Sequence, residues 1–182
     1  AFSKVQNNEI VSSWKDAMSS GTFEMNISDF INVPSFGCFK DQRELKYADY
    51  NTTIDKIWRI GGQNGWYYGN WLWKFRGFLD KLAGGVGLRR GRTSEIELNS
   101  GDAVDFWRVL YADKKQGRLL LFAEMKLPGE AWLEFRLKNE KLVQTATFRP
   151  VGLMGRLYWY MVYPFHGFIF KGMLKSLVSD DK

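Results

Sequence analysis

The C-terminal stretch from Gly152 to Lys182 constrains the fold more than any other part of the sequence. Its apolar residues recur with the 3.6-residue period of an amphipathic helix. The arc predicted to face the core contains Met154, Tyr158, Met161, Phe165, Phe168, Ile169 and Gly172. The opposite arc contains Arg156, Tyr160, Tyr163, Gly167 and Lys171. A helix this rich in aromatic residues needs other elements packed around it.

The preceding segment predicts an antiparallel sheet. Four runs with strand composition follow one another: Ala103–Tyr111, Arg118–Leu127, Glu130–Leu137 and Leu142–Arg149. Turn sequences separate them, of which Pro128-Gly129 is the clearest hairpin signal, and the two middle runs alternate strictly between apolar and polar residues. We therefore predict an α+β fold in which a curved antiparallel sheet wraps around the long C-terminal helix.

The first hundred residues give weaker signals. Residues 5–20 have helical spacing, residues 23–33 alternate weakly, residues 35–42 resemble a loop, and residues 44–50 and 52–60 resemble strand because of their β-branched and aromatic residues. A second helix is predicted from Asn64, as N-cap, to the glycine pair Gly84-Gly85.

Two faces are expected on this second helix. Trp66, Trp73, Arg76 and Asp80 share one face, with Arg76 and Asp80 at pairing distance. Leu72, Phe75, Leu79 and Leu82 share the other face, which we expect in the core.

Composition excludes several classes of protein. The 182 residues suit one domain covering 1–182, and eight Trp with fourteen Phe exclude a disordered chain. A single cysteine, Cys38, excludes an internal disulfide, and with the single histidine, His166, it cannot form a Cys/His zinc site. The apolar run 157–170 is too short to span a bilayer, and no secretory signal is visible, so we expect a cytoplasmic protein.

A sheet that grips a helix usually leaves a cavity, and the predicted core faces give its candidate wall. The candidate ligand-binding residues are Trp73, Arg76, Leu121, Ala123, Met125, Leu133, Phe135, Tyr158, Met161, Phe165, His166 and Phe168. For Trp73, Arg76 and His166, ordinary core packing is the alternative to a role in ligand binding. The glycine-rich loop from Gly84 carries Arg89, Arg90 and Arg92, which is the chemistry of an anion site or of a turn with structural ion pairs.

Several motifs occur in an order that is similar to a known family. They include 61–68 (GGQNGWYY), 72–80 (LWKFRGFLD), 84–92 (GGVGLRRGR), 101–109 (GDAVDFWRV) and 123–135 (AEMKLPGEAWLEF). The chain resembles a bacterial domain family of unknown function within the START-like, helix-grip superfamily. The resemblance implies a companion, because that family also occurs fused behind an NAD(P)-binding Rossmann domain of the short-chain dehydrogenase type.

The resemblance implies neither catalytic residues nor a cofactor in this domain. No Gly-x-Gly-x-x-Gly pattern follows an N-terminal strand, so we expect NAD(P) only in a fused or partner reductase domain. Ala1 in place of Met suggests a domain taken from a longer protein.

The leading hypothesis is a domain that binds a small hydrophobic or amphipathic ligand, accessory to a reductase-type protein. Two alternatives stay open. One is an enzyme with an acid or base in the cavity, from His166 or from Glu124 and Glu134 opposed across a hairpin. The other is an interaction module that uses an exposed Trp132 and the arginine loop. Nucleic acid is not an expected partner.

Overall fold

A computed structural model describes residues 32–179, apart from gaps at 63, 83, 86–88, 92–93 and 95–96. Residues 33–182 form one compact unit, to which the elements described below belong. The helix predicted over residues 5–20, and almost all of the stretch 23–33, lie outside the described residues.

Ten elements are described, and seven of them are strands. In chain order they are β1 (Phe39–Lys46), α1 (Tyr50–Trp58), α2 (Asn70–Leu82), β2 (Arg89–Gly91), β3 (Ala103–Asp105), β4 (Trp107–Asp113), β5 (Arg118–Ala123), β6 (Gly129–Lys138), β7 (Lys141–Pro150) and α3 (Gly152–Val178). The strands form one antiparallel sheet in the order β1-β7-β6-β5-β4-β3-β2. The long helix α3 packs on β7 and β1, which confirms the predicted α+β fold.

The alternation of the middle strands produces the predicted apolar face. Leu133 lies opposite Leu121 on one side and Ala146 on the other, and all three are buried in the core. The β6-β7 hairpin turns at Asn139 and Glu140, whose φ angles of 52° and 57° are those of a two-residue turn that suits the twist of antiparallel strands. The four strand runs and the C-terminal helix were therefore predicted correctly in outline.

Residues 52–58 are helical, so the prediction of strand over 52–60 was wrong. Asp49 is the N-cap of α1, and its carboxylate accepts a hydrogen bond of 2.6 Å from the backbone N–H of Thr52. Ile54, Ile57 and Trp58 are buried at helical spacing. The cap and this spacing outweigh the strand propensity of the β-branched residues. The predicted loop 35–42 was also wrong in part, because β1 begins at Phe39.

The run predicted as one strand, residues 103–111, is two strands. Asp105 has a φ of 56°, and Val104 pairs with Trp107, so the chain reverses sharply between β3 and β4. Alternation alone could not reveal this reversal, because both strands continue the apolar pattern. The Glu124–Glu134 pairing was also wrong, since Glu134 lies opposite Leu120.

Helix α2 begins at Asn70 instead of Asn64. Gly65, Tyr67 and Gly69 all have φ near 60°, which a right-handed helix cannot accommodate. Its other predicted features change as well: Phe75, Leu79 and Leu82 are 54%, 44% and 69% exposed, so these three residues of the face assigned to the core are accessible to solvent.

The orientation of α3 also differs from the prediction. Of the predicted core arc, Met154, Met161, Phe165 and Phe168 are exposed. The residues buried along the helix are instead Gly155, Trp159, Phe170, Met173, Leu174 and Leu177. Because apolar residues occur on nearly every side of α3, the sequence pattern shows that a helix forms but only weakly which side faces the sheet.

Candidate functional site

A cavity of about 390 Å³ lies between α2, α3 and the apolar face of the sheet. Its wall is formed by Leu72, Trp73, Phe75, Arg76, Leu79, Phe106, Trp107, Met125, Leu127, Ala131, Trp132, Ala146, Thr147, Phe148, Tyr158, Trp159, Met161, Val162, Phe165, His166, Ile169 and Phe170. Most of these side chains are aliphatic or aromatic. The volume falls within the range of roughly 300–1,000 Å³ that is typical of small-molecule sites.

The cavity opens to solvent between the two helices. Four residues of its wall are also exposed: Phe75 and Leu79 on α2, and Met161 and Phe165 on α3. They give the opening an apolar rim. A ligand could enter between α2 and α3 without displacing a strand.

Arg76 is the only residue of the cavity wall with a full positive charge. Its Nε and Nη2 atoms lie 3.2 and 3.0 Å from the sulfur of Met125. Its Cζ atom lies 5.2 Å from the centroid of the Tyr158 ring, at cation–π distance. Burial raises the pKa of the Tyr158 hydroxyl, and the neighbouring Arg76 opposes that rise. The phenol is therefore neutral beside the guanidinium.

The predicted Arg76–Asp80 pair does not form. A carboxylate oxygen of Asp80 accepts a hydrogen bond of 2.8 Å from the backbone N–H of Lys126, which ties α2 to the chain beyond β5. Among the described residues, Arg76 has no carboxylate within ion-pair distance.

His166 contributes a second polar group to the wall. Its ring packs edge-on against Trp159, with centroids 5.2 Å apart, and against Phe170 at 4.6 Å. Burial lowers the pKa of His166 from 6.5 to about 4; Asp41 opposes this shift, whereas Arg43 and Arg76 add to it. The imidazole is neutral at physiological pH.

Asp41 lies behind the histidine, with its Oδ2 atom 3.9 Å from Nδ1 of His166. Arg43 binds both oxygens of Asp41, at 3.0 Å each. The carboxylate is therefore held by Arg43, and Nδ1 of His166 has no hydrogen-bond partner in the described part of the protein.

Two indoles of the wall, those of Trp73 and Trp107, also carry a buried N–H group without a partner among the described residues. Trp73 stacks on Trp66 at 4.6 Å. An indole N–H is a donor only, so any group that satisfies it must be an acceptor.

Eleven of the twelve predicted ligand-binding residues fall into two groups. Those in the cavity wall are Trp73, Arg76, Met125, Tyr158, Met161, Phe165 and His166. Those in the hydrophobic core are Leu121, Ala123, Leu133 and Phe135. Phe168 belongs to neither group, because it is exposed and packs edge-on against Tyr68 at 5.2 Å.

Sequence reasoning missed important parts of the wall, above all Phe106, Trp107 and Trp159. Phe106 and Trp107 escaped notice because the reversal at Asp105 was not recognised. Trp159 escaped because the helix was rotated in the prediction. Gly155 could have indicated which side of α3 is buried. A Cβ atom at this position would lie 2.3 Å from the backbone oxygen of Pro128, so this side of α3 has to face the sheet.

The predicted anion loop is only partly described. Arg89 and Arg90 lie in strand β2, paired with Asp105 and Val104, so a strand interrupts the predicted loop. Their side chains and the whole of Arg92 lie outside the described part of the chain. The anion site at these residues therefore stays a prediction.

Other polar candidates serve the structure. Glu124 receives two hydrogen bonds from Arg108, at 2.8 and 3.0 Å, and Glu134 pairs with Arg118 and Arg136. Trp132, which was expected to be exposed, is 2% exposed. It packs edge-on against Phe122, so the interaction surface predicted around it was wrong.

The family follows from the segment that contains this site. Residues 38–173 match the family described as protein of unknown function DUF2867. The chain belongs to the DUF2867 family. The match covers every described strand and the whole cavity wall, so the cavity lies inside the family domain. No curated protein matches the sequence.

Two kinds of feature do not occur among the described residues of this DUF2867 domain. No described helix combines the length and apolarity needed to cross a membrane. Across the same residues, no three His, Cys, Asp or Glu side chains are grouped so that they could hold a metal ion.

Proposed function

We propose that this DUF2867 domain binds one small, largely apolar or amphipathic molecule in the cavity between α2, α3 and the sheet. The observation that carries the proposal is the cavity itself: about 390 Å³, with a mostly aliphatic and aromatic wall and a rim of exposed apolar side chains. Binding of an apolar ligand to such a wall is favourable because apolar surface of both is removed from water. The few polar groups in the wall orient the ligand.

The family resemblance suggests how binding would be used. In a longer protein, the domain would hold its ligand for a Rossmann reductase domain, and NAD(P) would belong to that domain. Support for this part of the proposal comes from the resemblance alone. It is tested by asking whether a ligand recovered from this domain is consumed when the reductase domain and NADPH are added.

The first experiment is native mass spectrometry of the purified protein, followed by denaturing extraction of any bound molecule. In parallel, the neutral probe N-phenyl-1-naphthylamine is titrated into wild type and into Ala146→Phe, which places a ring in the wall. Ala146 is buried and lines the cavity. We expect the probe's Kd to rise at least about tenfold in this variant.

Thr145→Phe is the matched control, because Thr145 precedes Ala146 on β7 and points to the other face of the sheet. Ala131→Phe is a second filling variant should Ala146→Phe melt below the assay temperature. Equal probe affinity in a folded filling variant and in wild type would contradict binding in this cavity.

A second candidate function, proton-transfer catalysis, is favoured by one observation. His166 lies in the cavity wall as a neutral imidazole, the state that can accept a proton. A recovered ligand that wild type converts, and that His166→Gln binds equally tightly without converting, would establish an enzyme. Glu124 no longer supports this function, because Arg108 holds its carboxylate.

A further inference from the structure

Arg76, on helix α2, differs from the five arginines of β1 and β4–β7, each of which pairs with a carboxylate. Arg43 pairs with Asp41, Arg108 with Glu124, Arg118 and Arg136 with Glu134, and Arg149 with Glu130. Arg76 instead contacts the thioether of Met125, the ring of Tyr158 and, through a hydrogen bond, the Tyr158 hydroxyl. A thioether is a weak acceptor, and a guanidinium has five N–H donors, so most of the hydrogen-bonding capacity of Arg76 is unused by strong acceptors.

The cavity around Arg76 has a one-sided electrostatic character. Of the twenty-two wall residues that the structure describes, Arg76 is the single cation, His166 is neutral, and no member is Asp or Glu. Removing a guanidinium from water into an apolar wall is unfavourable unless an anion accompanies it. None of the described wall residues supplies that anion, so an anionic group on a ligand would complement Arg76.

Further donors lie in the same wall. The indole N–H groups of Trp73 and Trp107 are buried without a partner in the described part of the domain. Trp73 lies three residues before Arg76 on α2, which places the two on neighbouring positions of the helix surface. A group rich in acceptors would satisfy these donors together with the guanidinium.

We infer that the ligand is an amphipathic monocarboxylate whose carboxylate binds Arg76 and whose apolar body fills the cavity between α2 and α3. This inference rests on the proposed function and adds the chemical class of the ligand. The fork of the guanidinium matches a carboxylate through two parallel hydrogen bonds. One cation balances one negative charge, which favours a carboxylate over a phosphate dianion.

Decanoate, decan-1-ol and decyl phosphate test the inference by isothermal titration calorimetry on the full chain. The three share one tail and differ in the head. We expect decanoate to bind wild type at least about tenfold more tightly than decan-1-ol, because charge-assisted hydrogen bonds are stronger than neutral ones. Decyl phosphate should bind more weakly than decanoate at a pH where it is a dianion.

Arg76→Met keeps an unbranched apolar stem in place of the first part of the arginine side chain and removes its charge. In this variant the preference for decanoate over decan-1-ol should disappear, while the affinity for decan-1-ol stays within about threefold of wild type. Arg156→Met is the matched control, since Arg156 is exposed on α3 and lies outside the cavity wall. It should leave the preference unchanged.

The outcomes separate the two proposals. Decan-1-ol binding wild type as tightly as decanoate, or Arg76→Met weakening both ligands equally, would overturn the carboxylate inference and leave the apolar cavity intact. Failure of all three compounds to bind wild type would overturn both. A stronger affinity for decyl phosphate would reassign the head group to phosphate. The wild-type comparison decides the inference even if Arg76→Met does not fold.

Discussion

The indole N–H of Trp66 donates a hydrogen bond of 2.7 Å to Oδ2 of Asp105. This contact joins the segment before α2 to the sharp reversal between β3 and β4, two regions that both have residues at positive φ. Both side chains lie beside the cavity wall, since Trp66 stacks on Trp73, and Phe106 follows Asp105. The bond therefore fixes two parts of the wall relative to each other.

Trp66→Phe tests the importance of this bond. The variant keeps a ring against Trp73 but removes the donor to Asp105, so the free energy of unfolding should fall by about 1–3 kcal/mol. Urea unfolding measures the change. Trp71→Phe is the control, because Trp71 is 68% exposed and should change stability by less than about 0.5 kcal/mol. Equal losses in the two variants would contradict the assigned role.

The Arg108–Glu124 pair should be structural. Its side chains are 13% and 24% exposed, so Glu124→Gln should lower the free energy of unfolding by about 1–3 kcal/mol and leave decanoate affinity unchanged. In the Lys114–Asp55 pair the side chains are 46% and 47% exposed, and Asp55→Asn should cost less than about 1 kcal/mol. A loss of ligand binding in a folded Glu124→Gln would place Glu124 in the functional site.

Two glycines of α3 should respond oppositely to alanine. A Cβ atom at Gly172 would lie 2.3 Å from the ring of Tyr68, whereas at Gly167 its nearest neighbour would be Nη2 of Arg43 at 3.9 Å. Gly172→Ala should therefore destabilise the protein by about 1–3 kcal/mol through the clash. Gly167→Ala should stabilise it by about 0.5–1 kcal/mol, because alanine is the better helix former. Thermal unfolding of both variants checks the sign; a stabilised Gly172→Ala would contradict the close contact.

His166 should make stability depend on pH. Burial lowers its pKa from the ordinary value of 6.5 to about 4 in the folded protein, so the unfolded chain binds the proton more tightly. This contribution to the free energy of unfolding is complete above pH 6.5 and is lost as pH falls towards 4. Neighbouring charges also act on the pKa of His166. Asp41 raises it and so reduces the loss of stability at low pH, whereas Arg43 and Arg76 lower it and so increase that loss.

The measurement is urea unfolding at about pH 7.5 and about pH 4.5 for wild type and His166→Gln. Wild type should lose about 2–3 kcal/mol more than the variant between these conditions. The variant serves as the control for carboxylates that titrate in the same range. Identical pH profiles would show that the imidazole is protonated as easily in the folded protein as in the unfolded chain.

The sequence by itself determined the class of fold. Strict alternation in residues 118–137 and a turn at each end require strands with one apolar face, and the aromatic stretch after Gly152 requires a helix. These signals are local, and they were read correctly without the tertiary structure. Arg76, Met125, Tyr158 and His166 were also chosen from the sequence and lie together in the cavity wall.

Only the tertiary structure decided which side of each helix packs against the sheet. Met161 and Phe165 have the same apolar character as Trp159, yet Trp159 is buried while the other two border the opening. Helix propensity and hydrophobic period cannot separate them, because α3 is apolar on nearly every side. The reversal at Asp105 and the backbone at Gly65, Tyr67 and Gly69 depend on positive φ angles that neighbouring elements hold in place. Local sequence therefore specified the main strand runs and the C-terminal helix, whereas the burial of one face in preference to another came from packing the whole domain.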